Sequence, residues 1–66
     1  MKFYIDGPNG LGSKRVSRKS ILEAVGEDRL NYIERESKKA LADDPREEIE
    51  FMIHWNHKTS YLVVRA

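Results

Sequence analysis

Apolar and polar residues alternate most regularly over residues 48–55, where each odd-numbered position is Ile, Phe or Trp. A repeat of two residues is typical of a strand that buries one of its faces. Residues 60–65 are rich in Val, Leu and Tyr and predict a second strand close behind the first. Residues 2–6 also alternate, with Phe3 and Ile5 on one side, and predict a third strand near the N-terminus.

The two C-terminal strands predict a hairpin whose register follows from its turn. A two-residue turn at 57–58 and a four-residue turn at 56–59 give the same pairing. That pairing brings apolar residues together on the core face and opposite charges together on the other face, which is mildly favourable. The predicted pairs are Phe51 with Val64, Ile53 with Leu62, and Glu50 with Arg65.

Residues 17–42 carry apolar side chains at helical spacing. Ser17 is a predicted N-cap, because its hydroxyl can accept a hydrogen bond from a first-turn amide. In one straight helix, the apolar residues before and after Gly26 would spread over about 200°, roughly twice the usual stripe. The sequence therefore predicts a break at Gly26, with helices near 18–25 and 28–42.

These elements predict a small α+β domain, in which a two-layer β-α-α-β-β arrangement has a three-stranded sheet with both helices packed on one face. The strand order has two solutions. A central final strand makes all pairs antiparallel, whereas a right-handed crossover makes the first two strands parallel. We expect the first solution. The predicted core consists of Phe3, Ile5, Ile21, Leu22, Val25, Leu30, Ile33, Leu41, Phe51, Ile53, Trp55, Leu62 and Val64.

Length and composition limit the class of protein. The chain has 66 residues, which is enough for one hydrophobic core, so residues 1–66 are predicted to form a single domain. Cysteine is absent, as is typical of proteins in a reducing compartment. No apolar stretch approaches the roughly 20 residues that span a bilayer, and the N-terminus lacks a secretory pattern. We therefore expect a cytoplasmic protein that does not bind membranes.

Charge is distributed unevenly, although the formal net charge is only +1. Residues 1–20 contain five Lys or Arg and one Asp, whereas residues 21–50 contain ten acidic and five basic residues. Several of the basic residues surround the predicted start of a helix, where free amides favour anions. One interpretation is an anion or nucleic-acid site, and the other is an ordinary solvated surface. The residues concerned are Lys14, Arg15, Arg18 and Lys19.

Residues 7–16 are predicted to form a loop, because glycine, proline and asparagine are concentrated there. Together with the preceding strand, residues 3–14 resemble the phosphate loop of thymidine and thymidylate kinases. The resemblance implies phosphate binding by a Lys that is followed directly by Ser or Thr. Here Ser13 precedes Lys14 and Arg15 follows it. The order departs from the motif, so nucleotide binding is not expected.

No catalytic, metal or cofactor site is predicted. His54 and His57 have H-x-x-H spacing, but two histidines around a hairpin turn rarely point the same way, and no cysteine is present to complete a metal site. No nucleophile, acid and base occur at a recognisable spacing. We therefore expect a chain that is not an enzyme and that needs no cofactor.

The sheet face without helices is predicted to display a partly apolar patch. Its members are Tyr4, Met52, His54, Tyr61 and Val63. Such patches often mark protein interfaces, and edge strands can recruit a further strand. The leading hypothesis is a non-catalytic interaction module or regulator that binds another protein or itself, such as a phage or mobile-element accessory protein. The alternative is a nucleic-acid-binding protein that uses residues 14–19, with Tyr4 and Tyr61 stacking on bases.

Overall fold

The chain begins with a β-hairpin. In the computed structural model, which describes residues 1–66, strand β1 spans Lys2–Gly7 and strand β2 spans Gly10–Val16. The prediction of a loop over residues 7–16 is therefore wrong, because most of that segment pairs with β1. β2 lacks an alternating apolar pattern because it lies at the edge of the sheet, where most of its side chains are exposed.

Two helices follow the hairpin, close to their predicted limits. Helix α1 spans Arg18–Val25 and helix α2 spans Glu27–Asp43. Ser17 caps α1, since its hydroxyl accepts a hydrogen bond from the Ser20 amide at 3.1 Å. Gly26 separates the helices with a φ of 86°, a value that glycine adopts readily. Neither helix is long and apolar enough to cross a membrane.

A second hairpin closes the fold, with strand β3 at Ile49–Trp55 and strand β4 at Lys58–Arg65. The four strands form one antiparallel sheet in the order β2-β1-β4-β3. The α+β class and the central final strand are confirmed, but the prediction of three strands is wrong because β2 adds a fourth. β4 occupies the centre, and its consecutive apolar residues 62–64 are buried on both faces of the sheet.

The turn of the second hairpin lies one residue earlier than the predicted two-residue turn. Asn56 and His57 form it with φ values of 49° and 66°, as in the type I′ turns that suit the twist of a hairpin. The predicted register is therefore wrong by two residues. A shift of two changes the partners but keeps each side chain on its face. The observed pairs are Phe51 with Leu62, Ile53 with Ser60, and Glu50 with Val63.

The core lies between the sheet and the two helices. All thirteen predicted core residues belong to it, eight of them buried and the others half-buried against those eight. Val16 and Ile49 also pack against this cluster. Ser37 of α2 reaches the interior as well, and its buried hydroxyl has no hydrogen-bond partner, which lowers stability locally.

Candidate protein-binding surface

Alternation along the strands sends a second set of side chains to the face of the sheet opposite the helices, which we call the outer face. β1 contributes Tyr4, β3 contributes Met52 and His54, and β4 contributes Tyr61 and Val63. Met52 lies directly opposite Tyr61, and Tyr4 lies directly opposite Val63. The five residues predicted to form a patch therefore share one face.

The accessible part of the outer face is smaller than predicted. Met52 is 59% exposed and Tyr61 is 42% exposed. His54 is also exposed, whereas Tyr4 is half-buried. Val63 retains only 2% of its surface, so the prediction that it belongs to an exposed patch is wrong. The accessible apolar area is centred on the Met52–Tyr61 pair.

Val63 is buried because the first hairpin curls over it. The pairing of β1 with β2 is irregular between Ile5 and Gly7, and the buried Gly12 opposite this irregularity has a φ of 67°. A Cβ atom on Gly12 would lie only 3.1 Å from Cγ2 of Val63. Glycine allows this close approach, and a bulge supplies the bend. Strand alternation gives no indication of such a contact, so the sequence alone does not predict it.

Arg65 connects the two hairpins beside Val63. Its guanidinium carbon lies 4.4 Å from the centre of the Tyr4 ring, a distance at which the ring attracts a cation. Its Nη1 donates to the Gly12 carbonyl at 3.1 Å, and its Nε pairs with the Glu48 carboxylate. One face of Tyr4 is thus occupied within the chain. Of the two aromatic residues predicted to stack on bases, Tyr61 is the more accessible.

The open edge of β3 lies next to the Met52–Tyr61 pair. In an antiparallel strand, the backbone groups of alternate residues point toward the neighbouring strand and away from it. Arg29 of α2 shows which residues point away, because its Nη2 donates to the Met52 carbonyl at 3.5 Å. The N–H and C=O groups of three residues therefore point away from β4, toward the solvent at the open edge of the sheet. These residues are Glu50, Met52 and His54.

Apolar side chains border this edge on its inner face. Phe51 is half-buried and makes an edge-to-face contact with Tyr32 of α2, with ring centres 6.4 Å apart. Tyr32 is itself 42% exposed. Ile49 and Trp55 are also half-buried on the same side. The β3 edge thus combines free backbone groups with apolar surface that is only partly covered.

The structure places two of the four predicted anion-binding residues on opposite faces of the sheet and pairs a third with a carboxylate. Lys14 and Arg15 are consecutive on β2, so their side chains point to opposite faces. Arg18 is held by Glu34 through two hydrogen bonds, of 2.8 Å from Nε and 2.9 Å from Nη2. Lys19 is exposed on α1.

The hydrogen bonds between Arg18 and Glu34 affect both groups. They lower the pKa of the Glu34 carboxyl and raise the pKa of the Arg18 guanidinium. The two charges stabilise each other across the α1–α2 pair. Arg18 therefore has less of its charge and fewer of its donors free for an external phosphate than an unpaired arginine would have.

An open cleft of about 410 Å³ lies between α1 and the turn of the second hairpin. His54 and His57 both line it, together with Glu23. No group of three or more His, Cys, Asp or Glu side chains in the structure is arranged to hold a metal ion. The open shape and the mixed polar and apolar lining differ from the mostly apolar cavities that usually enclose small ligands.

The chain matches no protein family, no characterised protein and no solved structure in three separate comparisons. Its own surfaces are therefore the basis for a functional proposal. Two of them stand out, namely the Met52–Tyr61 pair on the outer face and the adjoining edge of β3.

Proposed function

We propose that this chain is a non-catalytic interaction module that binds another protein through the outer face of its sheet. The supporting observation is the Met52–Tyr61 pair, in which two large side chains stand opposite each other on neighbouring strands and remain 59% and 42% exposed. Neither side chain contributes to the core. Adjacent exposed apolar and aromatic side chains are typical of protein interfaces.

The charge next to this pair favours a protein partner over a nucleic acid, since the basic residue Arg15 of the outer face lies opposite Tyr4 on the far edge strand. Glu50 stands on the outer face opposite Val63, and Arg65 is already paired with Glu48. Surfaces that bind phosphate depend on Lys and Arg side chains that are free to replace counterions. The alternative that uses residues 14–19 remains a separate prediction, and the same experiment distinguishes it.

Affinity capture with tagged protein, with and without nuclease, tests the proposal. We expect the partner to resist nuclease and to be lost when Tyr61→Lys places a charge on the outer face. Leu11→Lys is the matched control, because Leu11 is 51% exposed on β2, the edge strand farthest from β3. Circular dichroism establishes that both variants are folded.

The outcomes separate the two classes of partner. A protein that is retained by Leu11→Lys and lost by Tyr61→Lys supports the proposal. Capture that disappears with nuclease supports the nucleic-acid alternative, and it should then also depend on Lys14 and Arg15. Equal capture of the same protein by both variants would contradict binding through the outer face.

A further inference from the structure

The two edge strands of the sheet differ in how well they resist pairing with another strand. β2 carries Lys14 and Arg15 and pairs irregularly with β1, and charges and bulges of this kind block strand addition. β3, in contrast, contains no Lys, Arg, Gly or Pro between Ile49 and Trp55. It pairs with β4 without irregularity along its whole length. β3 is therefore the edge that remains open to another strand.

The sequence of β3 is complementary to itself when two copies run antiparallel. The strand has seven residues, and Met52 is the middle one. Met52 also directs its backbone groups outward. When a two-fold axis at Met52 relates two β3 strands, every residue of one strand therefore lies opposite a residue of the other. In this register, Glu50 of each copy lies opposite His54 of the other, which pairs an acidic with a basic side chain.

Other two-fold registers are less favourable. An axis at Glu50 shortens the overlap and places two carboxylates opposite each other, which is destabilising. An axis at His54 shortens it equally and places two histidines opposite each other. Axes at Phe51 or Ile53 also lose overlap, and they leave Glu50 facing an uncharged residue. Full overlap and charge complementarity thus select the same register.

We propose that the partner of β3 is a second copy of this chain, so that two β3 strands pair antiparallel about Met52 and join two four-stranded sheets into one. This inference goes beyond the proposed function, because it concerns the edge of β3, whereas the proposed function concerns the outer face. Three hydrogen-bonded residue pairs form across the axis, and each exchanges two bonds, giving about six backbone hydrogen bonds.

Apolar side chains add to this interface on the inner face. The register places Ile49 opposite Trp55 and Phe51 opposite Ile53 of the other copy. Ile49, Phe51 and Trp55 are half-buried in the single chain, so pairing covers surface that the core leaves exposed. A strand of seven residues extends about 24 Å, and the exposed Tyr32 beside Phe51 widens the contact.

Arg29 opposes this pairing within the single chain. Its Nη2 donates to the Met52 carbonyl, which is the acceptor that the Met52 amide of the second copy needs. The donor–acceptor distance of 3.5 Å is long and the contact is exposed, so the bond is weak. Arg29 also lies 5.4 Å from the centre of the Tyr32 ring, a contact that does not involve the edge of β3.

Sedimentation equilibrium of the wild-type chain and its variants tests the inference. Met52→Pro removes the outward amide and is compatible with an edge strand, so we expect dimer affinity to fall more than about tenfold. Met52→Val is the matched control, because it changes the side chain, keeps the amide and favours a strand. Arg29→Ala frees the Met52 carbonyl and should tighten the dimer.

A charge exchange tests the register. His54→Glu places two carboxylates opposite each other at both ends of the interface, and Glu50→Lys places a cation opposite His54. His54→Glu should weaken the dimer by about tenfold, whereas Glu50→Lys removes the acidic partner of His54 and should weaken it by less. The double variant Glu50→Lys/His54→Glu again places a basic side chain opposite an acidic one and should return the affinity to within about twofold of wild type.

The outcomes distinguish this inference from the proposed function. A chain that sediments as a monomer at every concentration, or a dimer that Met52→Pro leaves unchanged, would overturn self-pairing through β3. If Tyr61→Lys nevertheless loses a captured protein, the proposed function stands, because that function depends on the outer face and not on the edge of β3. Circular dichroism of Met52→Pro establishes that the variant is folded, so that loss of the dimer reports on the edge alone.

Discussion

The two hairpins of this chain are built in different ways. The second, β3 with β4, is regular and rests on apolar side chains such as Ile53 that alternate into the core. The first, β1 with β2, has an apolar face on β1 alone, and its outer strand is mostly exposed. It is anchored instead by a glycine against Val63 and by the hydrogen bond from Arg65 to the Gly12 carbonyl.

This difference shows two physical routes to a stable edge strand. Burial of apolar side chains stabilises β3, so substitutions there act through the hydrophobic core. Backbone pairing and close approach hold β2 in place, so substitutions there act through backbone conformation and a few specific contacts. The same difference leaves β3 with an apolar border and β2 with a charged one. Mutations in the two strands should therefore have unequal effects.

The largest expected effect is in β3. Ile53 is only 5% exposed, and Ile53→Ala should lower the free energy of unfolding by about 2–5 kcal/mol. The whole domain is expected to have only about 3–5 kcal/mol, so much of this variant should be unfolded. Lys14→Ala on the exposed β2 should change stability by less than about 0.5 kcal/mol. Urea denaturation at low protein concentration measures both, and equal losses would contradict the contrast between the strands.

A smaller effect is expected in β2, at Gly12. A Cβ atom there would lie 3.0 Å from Nη2 of Arg65 and 3.1 Å from Cγ2 of Val63, at a φ of 67°. Gly12→Ala should lower the free energy of unfolding by about 2–3 kcal/mol through strain and crowding together. Gly10→Ala is the control, because Gly10 also has a positive φ but has no neighbour within 4 Å.

Gly10→Ala should cost only the conformational strain of a side chain at a φ of 106°, about 1–3 kcal/mol. Thermal denaturation of the two variants compares these costs directly. Gly12→Ala in a Val63→Ala background should cost less than in wild type, and an equal loss in both backgrounds would show that the close packing of the first hairpin on Val63 contributes nothing.

The smallest effect concerns Arg18, which follows β2 closely in the chain and holds Glu34. The hydrogen bonds from Arg18 lower the pKa of the Glu34 carboxyl. A carboxyl of this kind stabilises the fold above its unfolded pKa, near 4.3, and that stability is lost as the pH falls through the lower folded value. Glu34→Gln should therefore lose less stability than wild type on acidification from about pH 5 to about pH 3.

The difference for Glu34→Gln should be small, because the Arg18 side chain is 55% exposed and solvent screens the pair. Arg18→Gln should reduce the pH dependence in the same way, since it removes the other partner. Denaturation midpoints across this pH range measure the effect. Profiles for both variants that coincide with wild type would show that the pair adds no stability.

Local sequence patterns were sufficient for much of the fold. When an element is buried on one side, apolar residues recur every two positions in a strand and every three to four positions in a helix. These repeats were sufficient to predict β1, β3, β4 and both helices. The Ser17 cap and the break at Gly26 also depend only on neighbouring residues. The face that each strand residue occupies follows from alternation alone, which is why Met52 and Tyr61 were placed on the outer face.

Contacts between distant parts of the chain decided the rest. β2 is a strand because β1 pairs with it, and its exposed residues carry no periodic pattern that would predict this. Val63 is buried because Gly12 approaches it from the first hairpin, and Arg18 is neutralised by a residue sixteen positions away. The hairpin register depended on which residues formed the turn, since neighbouring two-residue turns give different partners.

The sequence by itself determined which apolar residues form the core and which face of a strand each residue occupies. These properties follow from residue type and from the regular alternation of side chains along the local backbone. Only the tertiary structure decided which residues of the outer face stay accessible and which sheet edge stays open. Those properties depend on what packs nearby, and the neighbours are far away in the chain.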